Sequence, residues 1–472
     1  MTADGGNALP TNPPLPGGWD RLERRLTGRV FAFTAVIAGL LLLALGAGMT
    51  FFSDEWAFIE TRSLANPLDW FRAHNEHWST LPIIVYRLMV ETIGIGSYVP
   101  YQAALVAIHL CVASLVFVLV RRRSGPGPGF LAGLLVLLFG AGFENIYWGF
   151  QTGFDGSMAL GLAAIAVSDG APSNQRAAGV ALLLLLSLMS SGTGLIVSVA
   201  VGVAWLLDPH WRRHVLWLGL PAAAYAGWYV TVGRSGVNTI RNPFTIAALA
   251  DVPRFLLGGF GEAGASLTGL SSAGGLVLIA LALVGIGVRL RQHHLPGLAI
   301  GLLAAIAVQY ALIGLVRGNL FAGQVDYTRY TYVSGILLLV AVSTLVGRPR
   351  LAMSPRVRPL AVAGAASVVL LAFVFNIALL IGGRALFLDR ADMTRALVVA
   401  GLRRPLPAET DPNRTLVLVP SPASLERIVA AYGDPRMDSL VPWAVRPVPP
   451  AVQAEADRRV RYGASVPQPE GD

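Results

Sequence analysis

The chain has 472 residues, of which 54% are hydrophobic and only 13% are charged, and its mean hydropathy is +0.60. A soluble domain carries roughly 25% charged residues, so this composition excludes an ordinary soluble protein. The formal net charge is +9, and because the sequence contains no lysine, all 36 basic residues are arginines. Many of them stand in short loops between apolar runs. This distribution indicates a role in orienting the chain in a membrane and excludes nucleic acid as the expected partner.

Several apolar runs reach about 20 residues, which is enough to cross a hydrocarbon core of about 30 Å. Continuous apolar runs indicate helices, because helices satisfy their own backbone groups in lipid. We therefore predict an all-α polytopic integral membrane protein of the plasma membrane, with about 11 transmembrane helices (roughly 10 to 12). The single cysteine, Cys111, lies inside an apolar run and permits no internal disulfide.

The N-terminal part of the chain sets the predicted orientation. Residues 1–29 are rich in Pro, Gly and Asn, then in arginine, and are predicted to be a disordered cytoplasmic N-terminus. The apolar run 30–50 is predicted to be an uncleaved first span, since it is long for a signal peptide and no small-x-small cleavage site follows it. The loop 51–97 then lies outside. Within it, residues 79–94 are amphipathic and are predicted to form an interfacial helix, with Arg87 and Glu91 toward the lipid headgroups.

The membrane domain is predicted to continue to residue 383. Residues 178–207 are too long for one span and are broken at Ser190–Gly194, so they are predicted to form two short helices that meet at the outer face. The stretch 233–273 is predicted to be a long outer segment. The remaining spans are predicted at 98–120, 129–143, 150–167, 215–232, 274–288, 296–316, 331–346 and 360–381. With this assignment the arginine-dense short loops all fall on one side of the membrane.

The C-terminal residues 384–472 are predicted to be a small extracytoplasmic tail. A helical piece is expected at 389–403, and the pattern of 415–432 indicates a strand, a turn and a helix. From Pro442 onward the tail is rich in proline and is expected to be irregular.

This layout resembles the GT-C superfamily of integral membrane glycosyltransferases, which includes protein O-mannosyltransferases, lipid A aminoarabinose transferases and actinobacterial cell-wall arabinosyl- and mannosyltransferases. The similarity lies in the order of three features on the outer side. The pair Asp54-Glu55 in FFSDEW opens the large first outer loop. Glu144 in ENIYWGFQ stands at the outer end of the third and fourth spans, and Arg329-Tyr330 in VDYTRYTY precedes a late span.

The resemblance covers residues 20–385 and implies transfer of a sugar from a polyprenyl-phosphate donor to a cell-envelope glycan, lipid or protein on the outer face. Such a reaction needs a base for the acceptor hydroxyl and positive charge beside the departing phosphate. Asp54 is the expected base of an inverting reaction, and Arg329 could grip the phosphate in bidentate fashion. Glu55 and Glu144 could hold a divalent cation, Mg or Mn. The sequence shows no glycine-rich nucleotide-binding loop, so a nucleotide-sugar donor is not expected.

The site residues are therefore predicted in two groups. The catalytic residues are Asp54 and Glu55, with Glu55 and Glu144 as metal ligands, and the substrate-binding residues are His74, Glu76, His77, Arg87, Glu144, Gln151, Arg329 and Tyr330. Several of these residues also have an alternative interpretation. Helix capping would explain the Asp54-Glu55 pair, a hydrogen bond at a helix end would explain Glu144, and Arg329 would be an outer anchor. His74 and His77, three apart, would share one face of a helix as a zinc pair, or would serve in capping and hydrogen bonding.

Two other functions stay open at this point. A transporter or flippase for a lipid-linked or polar solute would need acids or helix breaks at mid-membrane. A non-catalytic scaffold would use its outer tail to recruit envelope partners. Two ionisable residues bear on the first alternative. His109 lies in an apolar span, where a hydrogen-bonded packing role is expected, and Asp155 is expected to face either a cavity or the outer interface.

Overall fold

The computed structural model describes residues 18–75, 77–236, 246–317, 328–347 and 358–463. In these ranges the chain is built from α-helices joined by short 3₁₀ turns, and no β-strand is formed. The all-α prediction is confirmed. The strand expected within 415–432 is wrong, since only the helix of that segment forms.

The helices are numbered here in chain order. The first nine are α1 (Gly18–Gly46), α2 (Asp54–Glu60), α3 (Pro67–Phe71), α4 (Thr80–Thr92), α5 (Val99–Ser124), α6 (Pro126–Leu137), α7 (Glu144–Tyr147), α8 (Thr152–Ser168) and α9 (Asn174–Leu188). The others are α10 (Thr193–Leu207), α11 (Gly219–Thr231), α12 (Ile246–Thr268), α13 (Ser272–Arg291), α14 (Gly297–Arg317), α15 (Thr328–Val346), α16 (Arg358–Leu402), α17 (Pro422–Tyr432) and α18 (Pro450–Tyr462).

Six helices of the described ranges are long and apolar enough to cross a membrane, namely α1, α5, α13, α14, α15 and α16. Three shorter apolar helices, α6, α9 and α10, accompany them. These lengths and compositions fit a multi-pass membrane protein. The predicted break between α9 and α10 is confirmed, because residues 189–192 leave the helical path between them.

The arginine-rich ends of several helices meet at one end of the bundle. Arg122 on α5 donates a hydrogen bond to the carbonyl of Ala166 on α8 at 3.0 Å. Arg289 on α13 donates to the carbonyl of Leu345 on α15 at 2.8 Å. The arginines that are grouped along the sequence therefore also lie close together in the structure. The guanidinium groups bond the last carbonyls of neighbouring helices, which a helix end otherwise leaves without partners.

The expected outer segment 233–273 is in large part a helix that packs into the bundle. This helix, α12, lies against α13, α14, α15 and α16. Gly264 of α12 approaches the backbone of Gly275 on α13 so closely that a Cβ would collide with it, which is the packing that small residues permit between membrane helices. The Glu262 carboxylate accepts a hydrogen bond from the hydroxyl of Ser272.

The helix α16 joins the bundle to the C-terminal segment without a break. The predicted last span and the predicted helical piece at 389–403 are one helix of 45 residues, roughly 67 Å long at 1.5 Å per residue. Its second half packs with α17, α18 and the first loop in one hydrophobic cluster. The expectation of irregular structure after Pro442 is wrong, because α18 forms and buries Ala456 and Val460 in that cluster.

The helix predicted at 79–94 forms as α4, but the prediction that Arg87 points to the headgroups is wrong. The Arg87 side chain is 2% exposed. Its Nη1 donates to the Ile59 carbonyl at 2.7 Å and its Nη2 to the Tyr432 hydroxyl at 2.9 Å, with Glu91 as an ion-pair partner. Arg87 therefore ties α2, α4 and α17 together and does not present its charge to a substrate.

We expect Arg87→Met to lower the free energy of unfolding by about 3 kcal/mol, because it leaves buried acceptors without their charged donor. Thermal unfolding of the purified protein in detergent would measure the loss as a fall of several degrees in the melting temperature. The matched control is Arg403→Met, which removes a guanidinium that is 53% exposed and paired with Asp457. An unchanged melting temperature for Arg87→Met would contradict the buried role of this arginine.

Candidate functional site

Asp54 begins α2 immediately after a strained residue. Ser53 has φ 54° and ψ −123°, a region that non-glycine residues rarely adopt. Its N–H donates to the Leu418 carbonyl at 2.9 Å, so the C-terminal segment holds this backbone in place. Ser53, not Asp54, is the N-cap of α2, and it makes no side-chain capping bond. The Asp54 carboxylate is consequently not used as a cap and is about one-third exposed, at 35%.

A tight turn brings two histidines to Asp54. His74 and His77 exchange backbone hydrogen bonds of 3.1 and 3.0 Å across a turn whose Asn75 has φ 51°. The two residues are therefore not on one face of a helix, as a zinc pair on a helix would require. His74 Nε2 lies 3.6 Å from Asp54 Oδ1. Glu76, which was predicted to bind substrate, lies outside the described residues.

The charges around Asp54 favour its ionised form. Burial raises the pKa of Asp54, but His74, Arg329 and His77 together lower that pKa below its ordinary value. Burial, together with the neighbouring His74 and Arg329, lowers the pKa of His77 to about 4, although Asp54 acts in the opposite direction. At neutral pH the site thus presents an ionised carboxylate beside a neutral imidazole.

Glu55 points away from this group into a closed cage. Its Oε2 accepts the Phe52 N–H at 3.0 Å, and its Oε1 accepts the hydroxyls of Tyr98, at 3.0 Å, and Tyr86. Burial raises the pKa of Glu55 to about 7, although these hydrogen bonds act in the opposite direction. A Cβ on Gly149 would lie 2.7 Å from Glu55 Oε1, so the cage closes on a glycine. Glu55 is fully buried and is not placed to touch a substrate.

Glu144 fixes the start of α15. Its Oε2 accepts the Thr328 hydroxyl at 3.1 Å and the Arg329 N–H at 3.2 Å. The alternative interpretation of Glu144, a hydrogen bond at a helix end, is thus what the structure contains. The Arg329 guanidinium lies within electrostatic range of both the Glu144 and the Asp54 carboxylates. The guanidinium lies 5.4 Å from the centre of the Tyr330 ring.

Glu55 and Glu144 do not fit a shared metal site. Both oxygens of Glu55 are occupied by hydrogen-bond donors, and Glu144 Oε2 is occupied by two more. In the described ranges no group of three or more His, Cys, Asp or Glu side chains stands close enough to hold a metal ion. No chemical step is therefore assigned to a divalent cation here.

An apolar cavity of about 170 Å³ opens beside His77 and Tyr330. Side chains from α8, α10 and α14 form most of its wall, including Phe154, Ile196 and Ile313. A second cavity of about 740 Å³ lies at the opposite ends of α8, α10 and α15 and contains none of the predicted site residues. The first cavity is the one next to the Asp54 group, because His77 and Tyr330 line it.

Several buried polar residues lie behind the site, and the sequence analysis predicted a role for only some of them. Gln151, predicted to bind substrate, is fully buried, and neither atom of its amide has a hydrogen-bond partner in the part of the chain that the structure describes. Asn145 donates to Asp155 Oδ1 at 2.7 Å. His109, as expected, is a hydrogen-bonded packing residue, 2.9 Å from the Tyr332 hydroxyl. The sequence does not single out Tyr86 and Tyr98, the hydrogen-bond partners of Glu55, because a tyrosine can serve many roles.

We expect Glu55→Gln to flatten the dependence of stability on pH between 4.5 and about 7. A carboxyl whose pKa rises on folding stabilises the protein fully below its unfolded pKa, and that contribution is lost as the pH rises through its folded pKa. Glutamine mimics the protonated side chain, with its amide donating to tyrosine oxygens, and does not titrate. Melting temperatures from pH 4.5 to 8 would measure the difference between the two proteins.

The comparison uses the difference between the melting-temperature profiles of the two proteins. This is necessary because His77 titrates in the same pH range and changes the stability in the opposite direction. The matched control is Glu60→Gln, at the exposed end of the same helix, and it should keep the wild-type profile. Parallel profiles for Glu55→Gln and the wild type would contradict the raised pKa of Glu55.

Comparison with protein-family models, with curated proteins and with solved structures finds no match to this chain. The chemistry of the protein must therefore be inferred from the geometry around Asp54. That geometry joins Asp54, His74, His77, Glu144 and Arg329, and it separates Glu55, Arg87 and Gln151 from them.

Proposed function

We propose that this protein is an integral membrane glycosyltransferase of the GT-C type, which moves a sugar from a polyprenyl-phosphate donor to a hydroxyl of a cell-envelope acceptor. The observation that carries the proposal is the grouping at Asp54. An ionised, partly exposed carboxylate lies beside His74 and within electrostatic range of Arg329 and of His77, and His77 lines an apolar cavity. A lipid-linked phosphate sugar needs both parts, a charged site for the head and an apolar surface for the chain.

The proposed reaction is a single displacement at C1 of the sugar. Asp54 accepts the proton of the acceptor hydroxyl while that oxygen bonds to C1. The bond between C1 and the phosphate oxygen breaks, and its electron pair leaves with the lipid phosphate. Arg329 stabilises the departing phosphate through its planar guanidinium. Attack opposite the leaving group inverts the configuration at C1.

The proposal includes a topology. About eleven helices cross a bacterial plasma membrane in this proposal, namely the six long helices, the three shorter apolar helices, and α8 and α11. The N-terminus is placed in the cytoplasm and the C-terminus outside, because the arginine-rich helix ends then face the cytoplasm. The Asp54 site falls on the outer side, where a membrane-anchored donor and an envelope acceptor can meet.

Asp54→Asn should lower turnover by roughly 10²–10⁴-fold, the usual loss for a positioned base. The amide keeps the shape of the side chain but cannot take the proton, so the melting temperature should stay near that of the wild type. The measurement is transfer from radiolabelled polyprenyl-phosphate sugars to cell-envelope acceptors by the purified protein.

The matched control is Asp389→Asn, an exposed acid on α16 that pairs with Arg446, which should leave turnover unchanged. Wild-type turnover by Asp54→Asn, with a donor that the wild-type protein uses, would remove Asp54 from the reaction.

One observation favours a second candidate function, transport of a lipid-linked or polar solute. Asp155 and His109 are fully buried between helices of the bundle, and buried ionisable groups of this kind often mark solute pathways in membrane proteins. In sealed vesicles, flux of the labelled lipid-linked sugar without transfer to an acceptor would favour transport. Transfer without flux would favour the glycosyltransferase.

A further inference from the structure

The segment from Asn145 to Asp155 concentrates buried oxygen atoms that lack partners. Within the described chain, no hydrogen-bond donor meets Asn145 Oδ1, Gln151 Oε1, Thr152 Oγ1 or Asp155 Oδ2. All four side chains are buried, and three of them are fully inaccessible to solvent. A buried polar atom without a partner loses its hydration without compensation, so four such oxygens in eleven residues indicate an occupant.

Helical spacing places Gln151 and Thr152 on the side of Asp155, and a hydrogen bond joins Asn145 to it. Gln151 and Thr152 precede Asp155 by four and three residues at the start of α8, so their side chains leave the helix on the side of Asp155. Asn145, on α7, reaches the same carboxylate through its 2.7 Å hydrogen bond. That bond uses Asn145 Nδ2 and Asp155 Oδ1, which leaves the amide oxygen of Asn145 and the second carboxylate oxygen of Asp155 for another partner.

The Asp155 carboxylate also lacks a charge to balance it. Asn145 and Tyr332 are the polar groups that act on it, and no ion pair to Asp155 is formed in the described ranges. Tyr332 in turn lies 2.9 Å from His109 on α5. A carboxylate that is buried inside a membrane domain without an ion pair must be neutralised by a proton or by a bound cation.

We propose that Asn145, Gln151, Thr152 and Asp155 form a binding site for one monovalent metal cation, Na⁺ or K⁺. Oxygen atoms from a carboxylate, two amides and a hydroxyl are hard ligands, which suit alkali and alkaline-earth cations. The single carboxylate balances one positive charge. A divalent ion would leave a net charge of +1 buried among helices, which is unfavourable.

The site lies directly behind the Asp54 group. Phe150, next to Gln151, packs with its ring 5.2 Å from His74, and Phe154, next to Asp155, packs with its ring 5.7 Å from His77. A cation there would fix the start of α8 and, through these rings, the histidine turn. The proposal does not depend on the glycosyltransferase or the transport function, because binding can be measured without either activity.

The test is cation binding to the purified full-length protein in detergent. Na⁺ or K⁺ is titrated at constant ionic strength against choline, and thermal unfolding is followed by tryptophan fluorescence. A site that binds the folded state alone raises the melting temperature with increasing cation. We expect a saturable rise of several degrees with one of the two ions, and binding of one radiolabelled cation per chain.

Three variants localise the effect. Asp155→Asn should abolish both the rise and the radiolabel binding, and Asp169→Asn, at the other end of the same helix, should preserve both. Thr152→Val keeps the shape of the side chain and removes one ligand oxygen, so it should weaken binding about tenfold even if Asp155→Asn folds poorly. A melting temperature independent of both ions, with no bound radiolabel, would overturn the proposal and assign a proton to Asp155. A response that survives in Thr152→Val and Asp155→Asn would overturn it as well.

Discussion

The path from the first membrane helix to Asp54 is held by the C-terminal segment, and the position of the site depends on that contact. The buried Arg395 on α16 donates from Nη2 to the carbonyls of Gly48, at 2.7 Å, and Met49, at 3.2 Å. The Ser53 N–H donates to the Leu418 carbonyl. Residues 47–53 have no regular hydrogen-bonding pattern of their own, so these contacts supply the backbone hydrogen bonds that a helix would otherwise provide.

The other end of the first loop is fixed by the same C-terminal segment. The Ile95 N–H donates to the Tyr432 carbonyl at 2.8 Å, and Asp438 accepts the Ser97 hydroxyl at 2.6 Å and the Tyr98 N–H at 3.2 Å. A loop held at both ends keeps a constant distance to α7 and α15, which carry Glu144 and Arg329. The C-terminal segment is therefore part of the structure that positions the site.

Hydropathy and charge were sufficient to predict the helical membrane class, the break between α9 and α10, and the common end of the arginine-rich helices. They failed for α12, because Asp251, Arg254 and Glu262 lower its hydropathy while its small residues, which pack it into the bundle, carry no hydrophobic signal. The site was predicted in part. The order of Asp54, Glu144 and Arg329 along the chain indicated a common outer side, and they do lie together.

The environment of each predicted residue could not be read from the sequence. Asp54 and Glu55 are neighbours, yet one faces His74 and the other is enclosed by two tyrosines from 31 and 43 residues away. Arg87 has the periodicity of an exposed arginine on an amphipathic helix, but Tyr432, 345 residues later, covers it. Contacts of this separation are set by the tertiary fold, which local pattern does not encode.

A membrane protein must compensate every carboxylate that it removes from water, and the four acids near the site are compensated in different ways. Asp54 has His74 and Arg329 beside it. Glu144 accepts donors at the start of α15. Glu55 has a pKa of about 7 and tyrosine partners, which allow it to keep its proton. Asp155 has one amide donor and a tyrosine, with none of the charges that serve Asp54. The same rule that explains the first three acids therefore requires either a proton or a positive charge at the fourth, and the unpartnered oxygens around Asp155 are where the proposed cation would supply that charge.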